Sequence, residues 1–226
     1  MEKLKKLFKE NSLSIFALLV MGGIVYLAVS QSRVPKQVKP AIAEPPGSGQ
    51  LASNPNIDGW PFLGNPDAKV VFVEFGDYQC GFCGRFNQET LPELKEKYID
   101  TGKIKFVYKD FVIFGEISKL AAQAAHCAGD QGKFFEYHDE IFNNQADGLN
   151  SELLKNIASD LGLNSQEFDS CLDSGKYADK VDQSTNEGIS FGIEGTPTSF
   201  INGQPVLGAQ GLSAFETIID PLLESN

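Results

Sequence analysis

Methionine occurs twice in these 226 residues, histidine twice and tryptophan once. The two methionines, Met1 and Met21, are too few for a thioether-rich copper(I) surface. His126 lies beside Cys127 in an alanine-rich stretch and His138 in an aromatic one, so both read as packed, hydrogen-bonded histidines rather than metal ligands. Basic side chains are also short: Lys+Arg number 19 against 30 Asp+Glu, a net charge of −11. Lys3, Lys5, Lys6 and Lys9 outweigh Glu2 and Glu10 at the start, so the body is more acidic still. That balance excludes nucleic acid as a partner and fits a solvated body that does not itself adhere to anionic lipid. Internal repeats are absent. The length fits one domain with appendages, and 42% hydrophobic residues supply a core.

What is present centres on Val70–Arg85. Val70 to Phe75 is an apolar, β-branched and aromatic run with one acid, Glu74, which is how a buried strand reads. Gly76 and Asp77 break it. Cys80-Gly81-Phe82-Cys83 follows, and Phe86, Leu91, Leu94 and Tyr98 then recur with helical spacing. The thiols therefore sit at a strand-to-helix junction, with Cys80 near the helix N-terminus, where free N–H groups and the helix dipole favour thiolate. A thiolate is the nucleophile of thiol–disulfide exchange: one cysteine attacks and the other resolves the mixed disulfide. The same spacing could form half a zinc site, but the strand before and the helix after favour redox chemistry.

Residues 1–11 are short and basic. Ser12 to Ser30 carries no charge and is about as long as a bilayer core requires. The positive flank predicts a transmembrane signal-anchor with a cytoplasmic N-terminus and an exported domain. A cleaved signal peptide ending near Ala28-Val29-Ser30 is the competing reading, weakened by the length of the apolar run. Residues 31–57, with Pro35, Pro40, Pro45, Pro46 and Pro55, read as a flexible stalk. The domain then runs over 58–226. Trp60 to Pro66 opens it as a short strand or loop, Leu91-Pro92 predicts a kink or break in the first helix, and Ile104 to Tyr108 is a second strand alternating with lysine. Phe111 to Phe114 is ambiguous. From Glu116 the periodicity is helical: one helix ends near Gly129, a second carries Phe134 to Phe142, and Ser151 caps a third. Asn164 or Ser165 caps a fourth, and a fifth runs from about Tyr177 to Phe191. Thr198 to Ile201, the turn Asn202-Gly203 and Pro205 to Leu207 form a hairpin with an edge-like second strand. A closing helix carries Leu212 to Leu222, with Ser213 near its N-cap. The chain is thus α/β: a sheet core interrupted by an all-helical insertion at about 115–191.

From about Asp58 onward the sequence resembles the DsbA-like thiol–disulfide oxidoreductases of the thioredoxin fold, most of all the membrane-anchored BdbD-type proteins of Gram-positive bacteria. The resemblance rests on Pro61-Phe62-Leu63-Gly64-Asn65-Pro66-Asp67-Ala68, on Val73-Glu74-Phe75-Gly76-Asp77-Tyr78 before Cys80, on Tyr137-His138-Asp139 and on Gly195-Thr196-Pro197-Thr198. It implies a central mixed β-sheet flanked by helices, with Cys80 as nucleophile and Cys83 as resolving cysteine. Pro197 is implied as the cis-proline beside them, with Thr196 presenting its backbone to an extended substrate. Glu74 is implied as a buried acid that relays the proton of the resolving thiol. Phe82, between the cysteines, is a further candidate for substrate contact. Family members often carry Pro-His between the cysteines; Gly81-Phe82 here cannot donate to sulfur in the same way, which bears on the reduction potential.

The function expected is an extracytoplasmic dithiol oxidase that needs no cofactor beyond its Cys80–Cys83 disulfide. It would act as a monomer on unfolded or extended exported proteins and be reoxidised by a membrane quinone-linked thiol oxidase. Reductase or isomerase activity is the alternative within the class. Outside it stand a copper- or zinc-binding metallochaperone using the same cysteines and a non-enzymatic surface scaffold. Cys80 is expected to have a depressed pKa, between the roughly 3.5 of DsbA and the roughly 7 of thioredoxin. Cys127 and Cys171 remain once Cys80 and Cys83 are matched. Both lie in the helical insertion, and an oxidising compartment would pair them as a structural disulfide.

Overall fold

The computed structural model describes residues 54–225. The expected anchor at 12–30 and most of the stalk lie outside them. Among the described residues no helix is long and apolar enough to cross a membrane.

Five strands form one sheet: β1 (Phe62–Gly64), β2 (Val70–Gly76), β3 (Ile104–Asp110), β4 (Thr198–Ile201) and β5 (Gln204–Leu207), in the order β1-β3-β2-β4-β5. β2 and β3 are parallel, joined through the helix that follows the cysteines; the other three pairings are antiparallel, so the sheet is mixed. β2 reads as a continuous apolar run because it is central and both of its faces are covered. On one face Phe72 packs with Phe86, Phe106 and Phe215. On the other Phe75 meets Phe111, Phe191 and Phe200. The hairpin turn has positive φ at both Asn202 (47°) and Gly203 (84°), as a two-residue turn between twisted strands requires.

The helix after the cysteines is not uniform. α1 (Gly81–Arg85) passes into a wide π-type turn (Phe86–Thr90), then α2 (Leu91–Leu94) and a second π-type turn (Lys95–Ile99). The kink or break expected at Leu91-Pro92 is thus absorbed differently. Pro92 stands in the first turn of α2, where its missing N–H is tolerated, and the widened turn ahead of it lets the helix continue.

The helical block comprises α3 (Glu116–Gly129), α4 (Phe134–Asn143), α5 (Ser151–Asp160), α6 (Ser165–Asp173) and α7 (Ala178–Ser190). A short 3₁₀ turn, Gln145–Asp147, separates α4 from α5. α8 (Leu212–Glu224) closes the chain. One expected cap is corrected. Asn150, not Ser151, caps α5, its Oδ1 accepting from the Leu153 amide at 3.0 Å; an amide side chain one residue earlier reaches the free N–H that a serine at the first helical position cannot. Ser213 does lie near the N-cap of α8, which is Gly211 and makes no side-chain bond. Phe111 to Phe114 is loop, and Asn164 caps α6.

Two further features of the frame matter. Lys109, one residue past the run that reads as a strand from sequence, lies fully buried on β3. It donates to the Asn56 carbonyl at 2.7 Å, pairs with Glu187 and sits 4.6 Å from the centre of the Trp60 ring. Residues 54–57, the end of the expected stalk, lie against the domain. Pro55 is buried, Ile57 packs on the second face of the sheet and the Asn56 amide donates to Glu187 at 2.7 Å.

Candidate active site

β2 delivers the chain to the junction, and Asp77 shapes it. This side chain is buried and accepts three backbone N–H groups: Gln79 at 2.8 Å, Ile113 at 2.8 Å and Phe114 at 3.1 Å. Its own carbonyl accepts from the Cys80 amide at 3.0 Å. One carboxylate thus fixes both the turn before the cysteines and the loop after β3. From the helical block, Gln145 Nε2 donates to the carbonyls of Tyr78 (2.6 Å) and Cys80 (3.0 Å). The sequence alone assigns neither Asp77 nor Gln145 a site role: Asp77 reads as a strand breaker within the Val73–Tyr78 stretch, and Gln145 reaches the site from 65 residues away.

Cys80 is the N-cap of α1, in extended conformation, and Cys83 lies within the first turn. Cys80 is 4% exposed and Cys83 not at all. The Cys80 thiol donates to the Thr196 carbonyl at 3.3 Å, and the Thr196–Pro197 bond is cis. The two thiols have opposite tendencies. The Cys83 thiol, donating to the Cys80 sulfur, is the main influence lowering the Cys80 pKa to about 6. Burial opposes it, while Thr196 and the amides of Cys83 and Phe82 assist. The Thr196 Oγ1 is buried and has no partner while Cys80 is a thiol, so it is free to turn toward a thiolate. Cys83 moves the other way: burial, its bond to Cys80 and the nearby Glu74 charge raise it well above the ordinary thiol range.

Glu74 is 2% exposed and occupies a cross-strand row, paired with Tyr108 on β3 and Ser199 on β4. Burial first, then the charge of Cys80, raises its pKa to about 8. A carboxyl in that range is able to hold or release a proton near neutral pH. Gly76, two residues on, is required by close approach, because a Cβ there would lie 2.8 Å from the Tyr108 hydroxyl.

Phe82 is 59% exposed beside the thiols, with the Arg85 guanidinium 5.0 Å from its ring centre. Ile113 and Phe114, held by Asp77, are exposed as well. Cys80, Cys83, Glu74, Thr196 and Pro197 are therefore brought together, with Phe82 on the outer face. Cys127 and Cys171 stand apart in the helical block. Their sulfurs are joined at 2.00 Å, with Cα atoms 5.8 Å apart. His126 Nε2 meets Asp110 Oδ2 at 2.8 Å, and His138 Nδ1 meets the Tyr78 hydroxyl at 3.0 Å, so each histidine has a buried polar partner.

Residues 58–221 match the family described as Thioredoxin. Disulfide bond formation protein D of Bacillus subtilis is 29% identical over 167 residues, covering 71% of this chain and 75% of that protein. The probable disulfide bond formation protein D of Bacillus anthracis is 30% identical over 198 residues, 84% of each chain. Among solved structures, oxidised BdbD from Bacillus subtilis superposes with a TM-score of 0.71 at 28% identity, covering 77% of this chain and 98% of that one. Alpha-DsbA1 from Wolbachia pipientis gives 0.69 at 28% identity, covering 75% and 94%. The chain belongs to the thioredoxin family, among its DsbA- and BdbD-type thiol–disulfide oxidoreductases.

Proposed function

We propose that the chain is an extracytoplasmic dithiol oxidase that donates its Cys80–Cys83 disulfide to exported proteins. The observation that carries the reading is the opposed placement of the pair: Cys80 caps α1 against the carbonyl of the cis Thr196–Pro197 bond and is lowered to about 6, whereas Cys83 is wholly buried and raised. A substrate thiolate attacks Cys80 Sγ, the Cys80–Cys83 bond breaks, and Cys83 leaves with the electron pair and takes a proton from Glu74. A second substrate thiolate then attacks the substrate sulfur of the mixed disulfide, and Cys80 departs as a thiolate. The substrate is oxidised by two electrons, and the enzyme holds a Cys80 thiolate and a Cys83 thiol. A stable Cys80 thiolate makes it a good leaving group and favours the reduced enzyme, which is the property of an oxidant.

Thr196 and Pro197 face Cys80 and form the wall along which an extended chain would lie, with Phe82 as an apolar contact at its edge. The uncharged run 12–30 with its basic flank supports a membrane anchor with the domain outside. The joined Cys127–Cys171 pair supports an oxidising compartment. Regeneration would fall to a membrane quinone-linked thiol oxidase.

The deciding measurement is the equilibrium of Cys80–Cys83 with glutathione. A potential near about −120 mV is expected for an oxidase; one near about −270 mV would overturn the direction in favour of a reductase. Topology is tested separately by adding protease to intact spheroplasts: the domain should be removed, and full protection would refute the extracytoplasmic placement.

A further inference from the structure

Two oxygens of β3 are buried without a hydrogen-bond partner: the Tyr108 hydroxyl and Asp110 Oδ1. They belong to one strand and are two residues apart, so their side chains share a face of β3, with the Cα atoms roughly 6.6 Å apart along it. Register sets Tyr108 beside Glu74 and Asp110 beside Gly76. Because Gly76 has no side chain, the Tyr108 ring lies over it, with the hydroxyl in the space a Cβ would fill. An unpartnered buried polar group costs about 1–3 kcal/mol, and two adjoining ones mark a place where bound water supplies the missing bonds.

The polar chain continues outward. Asp110 Oδ2 bonds His126 on α3. The His126 ring stacks on Tyr177 at 5.1 Å, and the Tyr177 hydroxyl donates to Asp130 at the surface, 2.5 Å away. The neighbouring branch ends inside the protein. Tyr78 is held by His138, which burial keeps neutral with a pKa lowered to about 3, and whose Nε2 has no partner. The charged groups around the Asp110–His126 pair are Lys180, within electrostatic range of Asp110; Lys109, the preceding residue of β3; and Asp130, within range of His126.

We propose that Tyr108, Asp110 and His126 form the route by which Glu74 exchanges its proton with solvent, with water bridging the Tyr108 hydroxyl and Asp110 Oδ1. The inference rests on the reading of Glu74 as the base of Cys83. When a mixed disulfide at Cys80 is resolved, the Cys83 thiol gives its proton to Glu74 and its sulfur bonds Cys80 Sγ. The bond from Cys80 to the partner sulfur breaks, and that sulfur leaves as a thiolate. Glu74 then returns to its carboxylate by passing the proton along Tyr108, the bridging water and Asp110 to His126, which releases it at the Tyr177–Asp130 surface.

The test uses the full chain loaded at Cys80 with a small aromatic thiol, so that release of the thiolate reports resolution by Cys83 whatever the cellular direction. Tyr108→Phe removes one hydroxyl bonded only to the bridging water, so its thermal midpoint should stay close to that of the parent. Resolution should nonetheless slow about tenfold or more, with a larger solvent deuterium isotope effect. Asp110→Asn should show the same kinetic change. Resolution by Tyr108→Phe at the parent rate with an unchanged isotope effect, while Glu74→Gln is slow, overturns the route and leaves Glu74 as the base. A Glu74→Gln variant that resolves at the parent rate overturns both.

Discussion

The two cysteine pairs of this chain occupy opposite environments. Cys80 and Cys83 are separated by one helical turn, and their surroundings drive their protonation apart. Cys127 and Cys171 are 44 residues apart, on α3 and α6. The second pair caps no helix N-terminus, and the carboxylate nearest to it, Asp130 at 3.7 Å from Cys171 Sγ, is already held by Lys176 and Tyr177. Identical bonds thus become reagent or staple according to whether one sulfur is a good leaving group.

The largest effect expected is at Cys80. Cys80→Ser should lose all exchange activity, while Cys83→Ser should accumulate mixed disulfides through Cys80, identified by mass spectrometry of trapped adducts. Adducts gathering on Cys83 in the Cys80→Ser protein would reverse the roles.

Next comes the staple. Replacing Cys127 and Cys171 together by alanine should lower stability by up to about 4 kcal/mol, from the 44-residue separation, as read by denaturant unfolding. Exchange at Cys80 should stay within about twofold, since the bridge is remote from the thiols. A large change in exchange rate with little loss of stability would erase the distinction between the pairs.

A smaller effect concerns pH. The Cys80 pKa is depressed from 9.0 to about 6 in the folded protein, so its contribution is fully present above pH 9 and is lost as pH falls through 6. Glu74 is raised from 4.5 to about 8, so its contribution is lost as pH rises through that window. The burial that chiefly raises Glu74 acts in both redox forms, whereas the Cys80 titration, with its lesser effect on Glu74, exists only in the reduced protein. The stability of the reduced protein relative to the oxidised one should therefore rise by up to a few kcal/mol between about pH 6 and pH 9. Denaturant unfolding of both forms across that range checks it; a flat difference would mean that Cys80 is an ordinary thiol.

The smallest effect is at Thr196. Thr196→Val keeps the shape but removes the hydroxyl available to the thiolate, and should raise the Cys80 pKa by about one unit, or about 1.4 kcal/mol. Thiolate absorbance against pH reads this directly; an unchanged titration would assign the depression to Cys83 and the α1 amides alone.

The sequence made the sheet, the helical insertion and the cysteine junction legible because each rests on local periodicity or turn chemistry: the apolar run of β2, the Asn202-Gly203 turn, the spacing from Glu116 to Gly129. It was silent where a residue's role depends on something distant in the chain. Gln145 steadies the Cys80 carbonyl only because the turn after α4 folds back over α1. Lys109 is buried because residues near Asn56 and Glu187 cover it. The Asp110–His126 pair joins sheet to insertion, and no spacing rule reaches across that boundary. The Ser151 cap failed by one residue because adjacent polar side chains compete for the same free amides, and only geometry chooses between Asn150 and Ser151.

The ends of the sheet carry a consequence for the proposed work on unfolded chains. β1 is three residues long and β5 four, with a proline at its second position. An enzyme that meets extended, strand-forming polypeptides is exposed to their joining its own sheet and continuing as an aggregate. These edges are too short, and at Pro205 too poor in donors, to serve as such templates. Short, proline-blunted rims would turn a visiting chain away, in keeping with the proposed contact at Thr196 beside Cys80.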